Sequence, residues 1–160
     1  MSTEPSFVAR SHDENWLPVL ELAVEEVFEI MLGSHVTSAP PSNHPPNAEF
    51  TAMIGLAGAL RGIITICCSA KCASQMATKM LGDAATSADE VRDALGEICN
   101  MVAGNFKNKL AGTDERCMLS IPTVISGEEY NLRSMADGNS VETVMLFENA
   151  TVAVRLQLQS

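Results

Sequence analysis

Two long segments of the chain repeat apolar residues at helical spacing. Residues 15–32 predict a first helix, and residues 87–109, in SADEVRDALGEICNMVAGNFKNK, predict a later one. In the later helix, Ser87 and Glu90 stand at capping-box spacing. At about 100° per residue, its apolar positions form one stripe of side chains predicted to be buried: Val91, Leu95, Ile98, Val102 and Phe106.

The shorter apolar segments predict strands and one further helix. EFTAMIGLAG and RGIITICCS predict a hairpin joined through residues 58–62, and AKCASQMATKMLGD returns to helical spacing. CMLSIPTVISG, SVETVMLFEN and TVAVRLQLQ predict three more strands, the last two joined by a tight turn at Asn149 and Ala150. This order predicts an α+β domain, with helices on one face of a largely antiparallel sheet.

Length and composition predict one domain over residues 1–160, since the chain is 46% hydrophobic and 19% charged. Residues 1–12 are expected to form a flexible N-terminus. Residues 34–48 are expected to form a stiff internal loop, because they contain four prolines: Pro40, Pro41, Pro45 and Pro46.

The charge of the chain narrows the class of partner. A formal net charge of −10 argues against nucleic acid and anionic membranes, both of which attract clustered Lys and Arg, and favours a protein partner. No run of eighteen apolar residues and no secretory signal pattern is present, so a cytoplasmic location is expected. The cysteines, odd in number, predict reduced core thiols and no metal site: Cys67, Cys68, Cys72, Cys99 and Cys117.

The candidate chemistry lies opposite the apolar stripe of the later helix. Asp93, Glu97 and Asn100 project there, with Gly104 and Lys107 on the same side. Gly96 and Gly104 weaken the helix, which suggests that small residues let a partner surface approach the polar side chains. The alternative interpretation is an ordinary solvated helix face, with Asp93 favoured by the helix dipole and Lys107 by the helix C-terminus.

The spacing of Glu97 and Asn100 has little weight alone, because Glu-x-x-Asn is expected about 0.4 times in a chain of this composition. Glu128 and Asn131 repeat it in a polar segment without helical periodicity, and we discard that copy. The first copy has more context. Asp93 precedes Glu97 by four residues, and Pro122 follows Asn100 by twenty-two, at the centre of a predicted strand. Pro122 can belong to this pattern, or it can be a residue that only shapes strand pairing.

This pattern of Asp93, Glu97, Asn100 and Pro122 resembles the signature of the CheC/CheX chemotaxis phosphatases, and a single copy is similar to CheX. The first helix has Glu25, Glu26 and Glu29 but no Asn three residues after any of them, so it is expected to be structural. The resemblance implies a pseudo-two-fold α+β fold with the long helices side by side, and a homodimer formed through strands.

The resemblance also implies a function. The substrate would be the phospho-aspartate of a CheY-like receiver, with Asn100 positioning water and Glu97 pairing with a receiver lysine. Asp93 and Gly104 would lie at the edge of the contact. This chain would bind no cofactor, and magnesium would belong to the receiver. Two alternatives stay open: a non-catalytic module like the middle domain of FliM, and a CheC-like phosphatase regulated by a CheD-type partner.

Overall fold

The computed structural model describes residues 4–40, 46, 48–58, 60–82, 87–110, 117–127 and 140–159, with side chains from residue 16 onward. Three helices and seven strands make up this part of the chain. The helices are α1 (Glu4–Leu32), α2 (Ala70–Leu81) and α3 (Ala88–Lys109). The strands are β1 (Thr37–Ser38), β2 (Phe50–Gly58), β3 (Gly62–Cys68), β4 (Cys117–Leu119), β5 (Thr123–Ser126), β6 (Ser140–Phe147) and β7 (Ala150–Leu158).

The strands form one antiparallel sheet in the order β1-β6-β7-β3-β2-β4, with β5 also paired to β2. This order has a two-fold pattern. The same order, read from the opposite edge of the sheet, results when β1 is exchanged with β4 and β5, β2 with β6, and β3 with β7. The same exchange relates α1 to α3. The prediction of an α+β domain with a largely antiparallel sheet and two similar halves is therefore confirmed, with α2 linking the halves.

The core lies between the sheet and the helices. Alternate residues of the central strands are buried, among them Ile54, Ile64, Ile66, Val154 and Leu156. On β6, Phe147 packs edge-to-face against Phe28 of α1, with ring centroids 5.5 Å apart. Strands β3 and β7 approach closely at Gly62, where a Cβ atom would lie 2.2 Å from the Gln157 carbonyl oxygen. Only glycine fits there.

Three predicted boundaries are wrong. Helix α1 begins at Glu4 rather than near residue 15, so residues 4–12, expected to be flexible, are helical. Pro5 suits a first helical turn, and a helix extends at low cost from a turn that is already formed. The expected loop over residues 34–48 contains β1, because Thr37 and Ser38 pair with the edge of β6. The β6–β7 turn consists of Glu148 and Asn149, one residue earlier than predicted, with Glu148 at φ 55°.

Among the described residues, no helix is long and apolar enough to cross a membrane.

Candidate functional site

Helix α3 carries the candidate site, and a capping box marks where the helix begins. The Ser87 hydroxyl accepts a hydrogen bond from the Glu90 backbone N–H at 3.0 Å. The Glu90 carboxylate in turn accepts one from the Ser87 N–H at 3.2 Å, completing the predicted capping box. The predicted helix bounds are confirmed.

The apolar stripe predicted for α3 is buried throughout, and its five members are at most 7% exposed. On the opposite side, Asp93 and Glu97 are exposed, while Asn100 and Gly104 are half-buried. None of the side chains of Asp93, Glu97 and Asn100 makes a hydrogen bond or ion pair with another described residue. Two acids and one carboxamide thus share a helix face, with their polar atoms available to a partner.

The two glycines of α3 have different environments. Gly104 is open, and a Cβ atom there would meet nothing within 4 Å, which agrees with close approach of a partner. Gly96 is buried, and a Cβ atom there would lie 3.3 Å from Val124 Cγ2 and 3.8 Å from Pro122 Cβ. The interpretation of Gly96 as a point of partner approach is wrong, because this glycine lets α3 pack against β5.

We expect Gly96→Val to lower the free energy of unfolding by about 1–3 kcal/mol, since the added methyl groups overpack the contact with Val124 and Pro122. The matched control is Gly104→Val, expected to stay within about 0.5 kcal/mol of the wild type because valine and glycine differ little in helix propensity. Urea unfolding followed by circular dichroism measures both. Equal losses in the two variants would contradict the packing role of Gly96.

Pro122 lies between two short strands and not at the centre of one, so that prediction is wrong. On one side Leu119 pairs with Leu56, and on the other Thr123 pairs with Met53. Three residues, 120–122, therefore face two residues of β2, which is a β-bulge. Proline has no N–H to donate to the ladder, so a break at this position follows from the sequence SIP.

Arg92 is a residue that sequence reasoning missed. Its guanidinium donates a hydrogen bond to the Ser126 hydroxyl at 3.0 Å and pairs with Asp89 on the preceding turn of α3. It ties the end of β5 to the helix. A basic residue three positions after an acid at the start of a helix was the only available signal, and it predicts the ion pair but not the contact with Ser126.

Helix α1 braces α3 from the other side. Glu26 and Lys109 form an ion pair at 2.7 Å, which supports the structural role expected for the first helix. The pKa of the Glu26 carboxyl lies below its ordinary value, chiefly because Lys109 donates a hydrogen bond to it, with another from Asn105. This ion pair joins the C-terminal end of α3 to α1.

A carboxyl with a lowered pKa stabilises the fold above its unfolded pKa, about 4.3 for Glu, and loses that contribution as the pH falls through the folded pKa. We therefore expect Glu26→Gln to be less stable than the wild type at pH 7 and to approach it at pH 3. The effect should be small because the pair is partly exposed. Urea midpoints at the two pH values measure it, and a difference that is constant with pH would contradict the ion pair.

Comparison with known proteins identifies the family. Residues 50–146 match the family model described as chemotaxis phosphatase CheX.

This chain belongs to the CheX family.

The CheX assignment agrees with individual proteins that this chain resembles. The chain is 28% identical over 118 residues to the "CheY-P phosphatase CheX" of Thermotoga maritima, covering 70% of this chain and 76% of the relative. A CheX crystal structure from Desulfovibrio desulfuricans superposes with a TM-score of 0.80 at 21% identity, covering 91% and 99% of the two chains. CheX from a Borrelia burgdorferi CheX–CheY–BeF3–Mg complex gives 0.68 at 19% identity, covering 91% and 98%. At these identities the two structures show the shared CheX fold.

The cysteines of this CheX family member lie outside the polar face of α3, and none of them forms a disulfide. Burial raises the pKa of Cys99 to about 12, and a hydrogen bond with Cys72 together with burial raises that of Cys68. Thiols with such pKa values stay protonated at neutral pH and are poor nucleophiles and metal ligands. No group of three or more His, Cys, Asp or Glu residues suited to a metal ion occurs among the described residues.

Proposed function

We propose that this protein hydrolyses the phospho-aspartate of a CheY-like receiver, using Glu97 and Asn100 from one helix face. The observation that carries the proposal is the position of these two side chains, which lie one turn apart on α3. Neither has a hydrogen-bond or ion-pair partner among the described residues. A receiver active site is formed by another protein, so this chain needs only to insert side chains into it. Membership in the chemotaxis phosphatase family supports the same reaction.

Hydrolysis of an acyl phosphate requires little acid–base chemistry, because the aspartyl carboxylate is already a good leaving group. A water oxygen forms the new bond to phosphorus while the bond from phosphorus to the aspartyl oxygen breaks, giving aspartate and inorganic phosphate. Most of the catalysis then comes from positioning and charge stabilisation. The Asn100 carboxamide offers an acceptor and two donors, so it can hold that water in line with the breaking bond.

Glu97 has a different role in this proposal. Its carboxylate pairs with the receiver's active-site lysine and sets the docking register, because a charge-assisted hydrogen bond is both strong and directional. No cofactor is assigned to this chain, and the magnesium ion that receivers use for phosphoryl chemistry would lie in the receiver's own acidic site. Asp93 and Gly104 would lie at the margin of the contact, where smaller effects are expected.

The alternative is a non-catalytic receiver-binding module like the FliM middle domain. It would bind the receiver without accelerating loss of phosphate. The presence of both Glu97 and Asn100, on an exposed face and without partners among the described residues, favours the phosphatase. A CheC-like phosphatase regulated by a CheD-type protein is less favoured, because no Asn follows Glu25, Glu26 or Glu29 by three residues on α1.

The deciding experiment follows a CheY-like receiver from the same cell, phosphorylated and supplied with magnesium. Phosphate release is measured with and without a substoichiometric amount of this protein. A phosphatase accelerates decay through many turnovers, with a rate proportional to its concentration. Binding without acceleration would instead establish the non-catalytic module, and absence of both would exclude this receiver as the partner.

A homodimer through strands is a further part of the proposal. Within the described part of the sheet, the outer edges of β4 and β5 and the first residues of β6 have no strand neighbour, and such edges accept another strand. Light scattering coupled to size exclusion would give the mass in solution.

A further inference from the structure

Lys107 is the charged residue on the polar face of α3 to which the proposed function gives no role. It follows Asn100 by seven residues, which places it within about 20° of Asn100 around the helix and about 10 Å along it. Its side chain is half-buried and makes no hydrogen bond or ion pair with another described residue. The chain carries a net charge of −10, yet none of its described acids pairs with this ammonium. Lys107 is therefore available to an anion of a partner.

The other two cations of α3 already have partners. Arg92 and Lys109 each form an ion pair with a carboxylate of this chain. Around the helix they lie about 80° and 180° from Asn100, so both point away from the polar face. A cation near a helix C-terminus is favourable in its own right. That explanation applies equally to Lys109 and does not account for the side of the helix on which Lys107 lies.

The turn between Asn100 and Lys107 leaves room for a ligand. Gly104 lies in this turn, and a Cβ atom on it would meet nothing within 4 Å. Long side chains of a helix lean toward the preceding turn, which for Lys107 carries Gly104 and Ala103. Both residues are small, so the lysine stem can extend across them toward Asn100. An ammonium and a carboxamide then border one open space on the helix surface.

The charge of the proposed substrate identifies the anion for this space. A phosphoryl group is strongly negative, and the carboxylates of Asp93 and Glu97 on the same face repel it. Sites of phosphoryl transfer place cations around the phosphoryl oxygens, because the charge of the transition state is spread over them. Lysine is a common phosphate ligand of this kind. On this face, Lys107 is the cation that offsets the two carboxylates.

We infer that Lys107 binds a phosphoryl oxygen of the docked receiver and makes docking selective for the phosphorylated form. This inference rests on the proposed function. Asn100 holds the attacking water, whereas Lys107 contributes only charge, so no proton transfer or bond change is assigned to it. An acidic side chain elsewhere on the receiver surface is the competing partner for the ammonium.

The test measures the affinity of each variant for two forms of the receiver. One form has magnesium alone, and the other has magnesium and beryllofluoride, which stands in for the phosphoryl group. We expect Lys107→Gln to weaken binding of the beryllofluoride form about tenfold, because a charged hydrogen bond is lost, and to change binding of the other form less than about twofold. Lys107→Arg should keep most of this selectivity, since it keeps the charge. Lys71→Gln removes an exposed lysine from α2 and is the matched control, with wild-type behaviour expected.

Equal weakening for both receiver forms would assign Lys107 to an acidic side chain of the receiver surface and overturn the inference. Wild-type selectivity in Lys107→Gln would also overturn it, leaving Lys107 as a charge that stabilises the helix C-terminus. Equal losses in Lys107→Gln and Lys71→Gln would overturn it in favour of net charge. If the wild type neither binds nor dephosphorylates the receiver, the proposed function fails, and this inference fails with it. Circular dichroism verifies that each variant is folded.

Discussion

Asn100→Ala is expected to abolish most of the phosphatase activity while leaving receiver binding within a factor of a few. Among Asp93, Glu97 and Asn100, only Asn100 combines donors with an acceptor, so in the proposed reaction its removal leaves the attacking water without a position. Loss of one preorganised polar group of this kind costs about 10²–10³-fold in rate. The measurement is single-turnover decay of the phosphorylated receiver at saturating enzyme, beside an affinity measured with the beryllofluoride-activated receiver.

The matched control for this prediction is Asn108→Ala. Asn108 is an exposed asparagine two turns later on the same helix, so its loss changes the same chemical group outside the proposed contact. It should leave both decay and affinity unchanged. Full activity in Asn100→Ala would contradict the water-positioning role, even if the protein remained a phosphatase.

Glu97→Ala is expected to weaken receiver binding by about 30-fold or more. Removing one partner of a desolvated, hydrogen-bonded charge pair costs about 2–5 kcal/mol, much of it from the charge left unpaired on the other protein. The loss should be seen in KM and in the dissociation rate, and activity should partly return at high receiver concentration. Glu97→Gln should be intermediate, because it keeps the shape and one acceptor but loses the charge.

Asp93→Ala provides the comparison, since Asp93 is an exposed acid one turn earlier on the same face. A marginal charge of this kind contributes about 0–1 kcal/mol and is screened by salt. Its effect should therefore be several-fold at most and should fade as salt is raised. Equal losses in the two variants would show that the face acts through its net negative charge and would contradict a specific pair at Glu97.

Local patterns predicted much of this structure. The 3.6-residue repeat of α3 predicted its five buried residues, and the capping box predicted where the helix begins. The alternation of β2, β3, β6 and β7 predicted two antiparallel hairpins, which the register confirms. Such features depend on neighbours within four positions of each other in the chain, so the sequence alone contains them.

Other features depend on contacts between distant segments. Gly96 and Gly104 look alike in the sequence, but only Gly96 meets β5. The bulge at Pro122 depends on how many residues of β2 lie opposite it, and Arg92 depends on where Ser126 is placed. Neither the number of β2 residues opposite the bulge nor the position of Ser126 is encoded within one segment of the chain.

The sequence by itself determined most of the elements, their order and the outward direction of Asp93, Glu97 and Asn100, because helical and strand periodicity assign each side chain to a face. The tertiary structure decided what surrounds that face. It placed Pro122 and Val124 against Gly96, and Lys109 against Glu26. Those neighbours follow from packing free energy summed over segments far apart in the chain, which no local pattern specifies.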